Sequence, residues 1–405
     1  MSLAEDFARV SRFGAGEGGA VDRQAATAAD GDQRRWLCER LAGAGARIVV
    51  DPIGNIFGLF TWTDGADWVM CGSHLDSQPN GGRYDGAYGV VAALNAAEEL
   101  DARVRSGNLT PVRNLVVVDW TNEEGARFQP SVMGSSVHCG FLALEDALGS
   151  TDASGVTLRQ ALSGIGFLGN EEFTGTAVRY AEIHVEQGDR MEREELDVAA
   201  VSANWAAGKY DIRITGEQGH TGSTPMVQRR DALVGLARIV AAIDDFARHH
   251  DEQFHASATD VVTFPHSPNV VTSVAAAHIE LRSAELGTVL RAEEWFEEML
   301  STVADAYGLE IEVVQRSARG SRAFWPEGIE LTRSVAQSLG FTVGELCTIA
   351  GHDAVIVART MPTVLIFVPS CGGHAHSPRE YTLPSDLEKG LVTLTGVLAE
   401  LTAGY

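Results

Sequence analysis

The chain predicts an α/β fold: a mostly parallel sheet with chemistry at its strand ends, interrupted by a small inserted α+β sandwich. Three observations carry that expectation. Short β-branched runs alternate with helix-period segments, the pattern of a parallel sheet covered on both faces. Several of these runs stop in glycine-rich turns bearing His, Asp or Glu, where open α/β sheets place their ligands. Near residue 205 the order changes to β-α-β-β-α-β, the split-βαβ or ferredoxin-like unit.

Taken in order, residues 21–45 read as a helix with Trp36, Leu37 and Leu41 on one face. Short strands at 47–50 and 55–60 flank the turn Asp51-Pro52-Ile53-Gly54. The apolar run 67–71 is a buried strand, and 86–100 is a helix with Val90, Val91, Leu94 and Ala97 at helical spacing. Further β-branched runs, at 114–120 and 180–185, add strands. Beyond residue 205, 209–214 alternates as a half-exposed strand and a long amphipathic helix runs over 225–249. Strands at 258–264 and 278–282, a helix at 286–306 and a strand at 310–314 complete this unit. After Arg319 buried αβ elements resume, among them 363–368. The expected division is a catalytic domain of residues 1–205 and 319–405, with residues 206–318 as an inserted dimerisation or lid domain.

Composition narrows the function. At 405 residues the chain has room for two cores, and 45% hydrophobic with 21% charged residues describes a globular protein. A net charge of −24 argues against nucleic acid, whose binding depends on Lys and Arg at the phosphates. It leaves room for an anionic small molecule, because one Arg inside a cleft outweighs a distant negative field. The five cysteines, Cys38, Cys71, Cys139, Cys347 and Cys371, are scattered and lack CxxC spacing, which fits a reducing compartment. Neither a signal-peptide apolar region nor a membrane-length apolar window is visible, so a cytoplasmic protein with no membrane partner is expected.

The chemistry concentrates in four places. Gly72-Ser73-His74-Leu75-Asp76 follows the run Trp68-Val69-Met70-Cys71 and leads to Gly81-Gly82-Arg83-Tyr84-Asp85-Gly86. His with carboxylate suits a divalent metal, although a His-x-Asp pair also suits a hydrogen-bonded cap. Thr121-Asn122-Glu123-Glu124-Gly125 follows another strand: one carboxylate can ligate while its neighbour handles a proton, and the plainer reading is a solvated acidic turn. His184-Val185-Glu186-Gln187-Gly188 ends a third strand. Gly372-Gly373-His374-Ala375-His376 follows a fourth, and only one of its two His residues need face the sheet edge. Together the strand ends deliver His74, Asp85, Glu124, His184 and His376, enough for two metals if Asp85 bridges.

These segments, in this order and spacing, closely resemble the M20 metallopeptidase-like amidohydrolases, on the branch of N-carbamoyl-L-amino-acid hydrolases, β-ureidopropionases and allantoate amidohydrolases. The resemblance runs from about Ser73 to Thr382 and includes Gly351-His352-Asp353-Ala354. It implies two divalent ions per subunit, zinc first, with manganese, cobalt or nickel as alternatives. His74, Asp85 and His184 would hold one ion, and Asp85, Glu124 and His376 the other. Glu123 would be the general base, and Asp76 would orient His74 from behind it. A His at position 184 is typical of the carbamoylase side. Gln187, His220, Asn269 and Arg282 fall where carbamoylases hold substrate, Arg282 as a carboxylate clamp. His220, in Gly219-His220-Thr221-Gly222-Ser223-Thr224-Pro225, would reach the neighbouring subunit's site and help stabilise the oxyanion in a homodimer built through the inserted domain.

Several positions depart from the family's usual pattern: His138, Thr221, Glu280, the Asp189-Arg190-Met191-Glu192-Arg193 stretch and Ser202-Ala203-Asn204-Trp205. They bear on the substrate side chain rather than on the metal chemistry. The expected reaction is hydrolysis of an N-carbamoyl or similarly N-acylated L-amino acid to amino acid, carbon dioxide and ammonia. Competing readings are the same chemistry on allantoate or a conjugated amino acid, a dipeptidase, and a metal-binding scaffold without activity.

Overall fold

The computed structural model describes residues 2–250 and 253–405. Its strands are β1 (Arg47–Val50), β2 (Ile56–Phe60), β3 (Trp68–His74), β4 (Asn114–Trp120), β5 (Ala177–Val185), β6 (Val198–Asn204), β7 (Ala206–Thr215), β8 (Phe254–Phe264), β9 (Val274–Ser283), β10 (Glu310–Arg319), β11 (Arg322–Ala323), β12 (Val343–Thr348) and β13 (Thr363–Val368). The helices are α1 (Leu3–Val10), α2 (Ala28–Gly43), α3 (Ala87–Arg105), α4 (Met133–His138), α5 (Leu144–Gly149), α6 (Leu158–Ile165), α7 (Arg190–Arg193), α8 (Ala232–Arg248), α9 (Leu286–Tyr307), α10 (Pro326–Ser338), α11 (Asp353–Val357) and α12 (Pro384–Ala403). Two compact units result. One holds the residues up to Ser202 with Ala323–Leu346 and Ala350–Tyr405; the other holds Ala203–Arg322 with Cys347–Ile349.

The first unit is organised by a sheet of order β1-β2-β4-β3-β5-β13-β6-β11. Its centre is parallel, through the β4–β3, β3–β5 and β5–β13 pairs, and antiparallel ribbons flank it. Continuous apolar runs form these strands because both faces are covered. Val69, Cys71, Ile183 and Ile366 enter one core with Leu94 and Val91 of α3 and Leu398 of α12. Their alternate neighbours Met70, Val116, Tyr180 and Phe367 enter a second core with Met191 and Val355. This is the mostly parallel α/β architecture that the alternation of strands and helices predicts.

The second unit is a four-stranded antiparallel sheet of order β10-β7-β9-β8. In the unit's own strand count that is fourth, first, third, second, as a ferredoxin-like unit requires. Alternation decides which face is dry: Tyr210, Ile212 and Ile214 of β7 and Ala277, Ile279 and Leu281 of β9 pack on Leu236, Ile239 and Ile243 of α8 and Phe296 of α9.

Element ends differ from expectation in two instructive places. The helix expected from residue 21 begins at Ala28, capped by the Thr27 hydroxyl, which accepts from the Asp30 N–H. The preceding stretch is held extended: Val21 and Gly81 exchange two backbone hydrogen bonds of 2.9 Å. The helix expected from 225 starts at Ala232, where the Asp231 carboxylate accepts from Leu233 and Val234 N–H; Met226–Gln228 forms only an isolated 3₁₀ turn.

Candidate metal centre

Parallel neighbours deliver their carboxyl ends to one edge, and β3, β4, β5 and β13 are such neighbours. His74 is the last residue of β3 and lies in register with Trp120, the last of β4. His184, near the end of β5, lies in register with Phe367 of β13. After β4 the chain turns sharply, with Asn122 at φ 55° and Gly125 at φ 66°, and that turn presents Glu123 and Glu124. After β13 a glycine turn, with Gly372 and Gly373 at positive φ, leads to His376, itself at φ 50°. Gly86 follows Asp85 at φ 62°, and a Cβ there would stand 2.3 Å from the His74 ring. Only glycine lets the start of α3 approach the imidazole so closely.

Five of the side chains named from the sequence meet here. One donor atom from each of His74, Asp85 and His184 lies within 4.8 Å of the others, and the same is true of Asp85, Glu124 and His376. Asp85 belongs to both sets: its Oδ1 is 2.9 Å from His184 Nε2 and 3.6 Å from His74 Nε2, and its Oδ2 is 3.1 Å from His376 Nε2. His376 Nε2 is 3.4 Å from Glu124 Oε2. The other ring nitrogens are committed elsewhere. His74 Nδ1 donates to Asp76 O at 3.1 Å and His184 Nδ1 to Val185 O at 2.8 Å, which turns each Nε2 towards Asp85; that of His184 also accepts from the Gly86 N–H at 3.1 Å. Imidazoles that donate one nitrogen to a carbonyl and present the other are the arrangement metal sites use. The residues therefore fit a divalent ion.

Electrostatics at the centre favour added positive charge. Burial opposes ionisation of Asp85, but the His184, His376 and His74 rings around it outweigh that and hold its carboxyl well below the usual range. Burial pushes Glu124 up to about 7, reinforced by the Asp85 charge. It also pushes Glu123 well above the carboxylate range, opposed chiefly by His74. Burial of His376 is outweighed by Asp85 and Glu124, and its pKa rises to about 9. Glu123 stands beside the first donor set and in neither, with Oε2 3.6 Å from His74 Nε2.

The remaining sequence-predicted residues divide. Asp76 touches His74 through its backbone carbonyl, while its carboxylate, 3.7 Å from Nδ1, accepts from the Glu123 and Glu124 N–H groups at 3.1 and 3.2 Å. It thus holds the two-glutamate turn against the His74 turn. Gln187 Nε2 donates to Asp85 Oδ2 at 2.7 Å. His220, Asn269 and Arg282 belong to the second unit. His220 and Asn269 are neighbours on its surface, where Thr221 N–H donates to Asn269 O and His220 Nδ1 accepts from Gly222 and Ser223 N–H. Arg282 is half-buried on β9, with Nη2 at 2.8 Å from both Glu280 oxygens and Nη1 donating to Ile349 O at 2.6 Å.

Other contributors carry no local signal in the sequence. Gln78 donates to both Glu124 oxygens, from its N–H at 3.1 Å and its Nε2 at 2.9 Å. Glu380 Oε1 accepts from the Tyr84 and Asp85 N–H groups at 2.8 and 3.0 Å. Behind the centre, the fully buried Glu182 accepts from Ser73, Tyr180 and the Ala354 N–H, beside His352, whose ring centroid is 4.5 Å from that of His184. Apart from the Tyr180–Glu182 contact, each pairing joins residues far apart in the chain, so no spacing rule points to it.

Residues 70–400 match the model of peptidase family M20/M25/M40. The chain is similar to a protein of Mycolicibacterium smegmatis named only as a hydrolase, 42% identical over 405 residues, 99% of this chain and 92% of that one. It is 32% identical over 383 residues to an N-carbamoyl-L-amino-acid amidohydrolase of Rhizobium meliloti, covering 93% of this chain and 90% of that one. An allantoate amidohydrolase of Bacillus subtilis is 29% identical over 416 residues, 99% of this chain and 97% of that one. Among solved structures, a hydantoinase/carbamoylase-family amidase of Burkholderia vietnamiensis superposes with a TM-score of 0.94 at 30% identity, covering 99% of this chain and 97% of that one. The chain belongs to the M20/M25/M40 peptidase family and is a hydrolase.

Proposed function

We propose, from that membership, that this hydrolase cleaves the carbamoyl C–N bond of N-carbamoyl-L-amino acids or of closely similar N-acylated amino acids. The observation that carries the reaction class is the pair of donor sets sharing Asp85, with the Glu123 carboxyl beside the first and in neither. The carbamoyl substrate is supported by the amidohydrolase relative of that name and by the solved hydantoinase/carbamoylase amidase. In this reading His74, Asp85 and His184 hold one divalent ion, and Asp85, Glu124 and His376 hold a second. Three imidazoles favour zinc, and manganese, cobalt or nickel also suit the set. When bound, such ions polarise a carbonyl and acidify water.

Glu123 then takes a proton from the attacking water and passes it to the amino-acid nitrogen as the C–N bond breaks. The carbamic acid released falls apart to carbon dioxide and ammonia. Gln187 steadies Asp85, and Arg282 with Asn269 receives the substrate carboxylate. His220 Nδ1 is committed to two N–H groups, so its ring proton sits on Nε2 and is available to a developing oxyanion. In a homodimer built through the second unit, this His serves the partner's centre.

Glu123→Gln should lower turnover of an N-carbamoyl amino acid by roughly three orders of magnitude or more while metal content stays at the wild-type value. Turnover near the wild-type rate would overturn the role of Glu123. A panel of N-carbamoyl, N-formyl and N-acetyl amino acids, allantoate and dipeptides tests the substrate; fastest turnover of allantoate would move the reading to the other amidohydrolase relative. Mixing inactive Glu123→Gln and His220→Ala subunits tests the partner role. Activity should return on subunit exchange, and continued silence would remove that role.

A further inference from the structure

Arginines are seldom buried completely, yet Arg23 is wholly inaccessible on the extended stretch before α2. Among the described residues no carboxylate lies in ion-pair contact with it. Its fork is spent on backbone instead: Nε donates to Leu75 O at 3.0 Å, Nη1 to Val10 O at 3.1 Å and Nη2 to Arg83 O at 3.4 Å. Leu75 lies between His74 and Asp76, Arg83 stands two residues before Asp85, and Val10 ends α1. The Arg23 N–H also donates to Ser77 Oγ at 3.1 Å, and Gln33 Nε2 shares the Leu75 carbonyl at 2.9 Å. Burial lowers its pKa to about 10, opposed by the charges of Asp30, Glu380, Asp76 and Asp85.

A buried cation with no carboxylate in contact is a poor way to stabilise a core, because its desolvation is repaid only by carbonyl dipoles and by carboxylates beyond contact. An apolar side chain would fill the same volume. What the guanidinium supplies is three donors in fixed directions, joining two turns that each carry a metal donor. A Lys ammonium, a single point, cannot reach three carbonyls spread around that fork.

We propose that Arg23 is a positioning residue for the metal centre, fixing the spacing between the His74–Asp76 turn and the loop that carries Asp85. The proposal rests on the reading of His74 and Asp85 as metal donors. The test measures zinc affinity of the full chain, by competition with a chromophoric chelator, alongside kcat and KM. Arg23→Lys should weaken zinc binding about 10-fold and lower kcat with KM changed by less than about twofold. Arg23→Ala should lose more, and millimolar guanidinium, but not urea or sodium chloride, should restore both quantities. Arg40→Met, which breaks the buried pair with Asp6 at 2.8 Å, should lower thermal stability with zinc affinity unchanged.

A folded Arg23→Lys protein with wild-type zinc affinity would overturn the proposal. So would Arg40→Met weakening zinc as much as Arg23→Lys does. If Arg23→Ala does not fold, Arg23→Lys decides alone. Should wild-type protein hydrolyse no amide while zinc affinity still tracks residue 23, the reaction assigned above fails and the positioning role stands.

Discussion

In the first unit Asp85 is faced by three imidazole rings and takes a hydrogen bond from Gln187, and among the described residues no Lys or Arg pairs with it. In the second unit Glu280 faces Arg282 at 2.8 Å and Lys209 at 3.1 Å, and its carboxyl lies below the usual range because those cations outweigh its burial. One cluster of carboxylates is faced by imidazoles alone; the other is closed on itself by Lys and Arg. A cluster of the first kind is completed from outside, by a metal ion. A cluster of the second kind holds a cation in a fixed orientation, as recognition of a carboxylate requires.

Substitution at the shared aspartate should break that contrast most completely. Asp85→Ala removes a donor from both sets, so metal content, two ions per chain in the reading proposed above, should fall towards zero, with activity lost; atomic emission on dialysed protein checks it. Retention of one tightly bound ion would mean that Asp85 does not bridge. Arg282→Met should act on the opposite side, raising KM for a carboxylate substrate by about 100-fold, the scale of a charge-assisted bidentate contact, with metal content intact. Unchanged KM would take Arg282 out of the binding site.

A smaller effect sharpens the electrostatic half of the comparison. Burial pushes Glu124 up to about 7, and Asp85 and Glu124 raise His376 to about 9. Each must lose its proton to ligate, so binding releases protons and affinity should rise as pH climbs through both values. Calorimetry of zinc binding in two buffers of different ionisation enthalpy, at pH 6.5 and 8.5, measures the release. Equal affinity at the two pH values would mean that these groups bind metal already deprotonated.

Much of this was legible because it is local. His74, Glu123, Glu124 and His184 each stand at or just beyond an apolar or β-branched run, and His376 follows one through a glycine-rich loop, so period and punctuation put them near strand ends. The β-α-β-β-α-β order was equally plain, since alternation in β7 and β9 marks one dry face. What escaped is long-range and polar. Helix α2 turns Asp30, Gln33 and Arg34 inward, so its true start was hidden from a reading that looks for an apolar stripe. Arg23 reaches Leu75 and Arg83, and Glu380 reaches Tyr84 and Asp85, across separations that no motif spans. The Asp76 carboxylate also does other work than supporting His74, because only the folded turn shows which N–H groups stand opposite it.

The uneven enclosure of the centre has a kinetic consequence. The His74 and His184 side chains are 2% and 1% exposed, whereas that of His376 is 48% exposed at the end of a glycine turn. Of the two ions proposed above, one held by the first pair would be shielded from solvent and should exchange slowly, and one held through His376 would face solvent and should exchange faster. Purified enzyme should therefore carry one inert ion fixed at synthesis and one labile ion that reports the last buffer it met. Mixed-metal preparations, with different elements at the two positions, become the ordinary product of growth in one metal and storage in another.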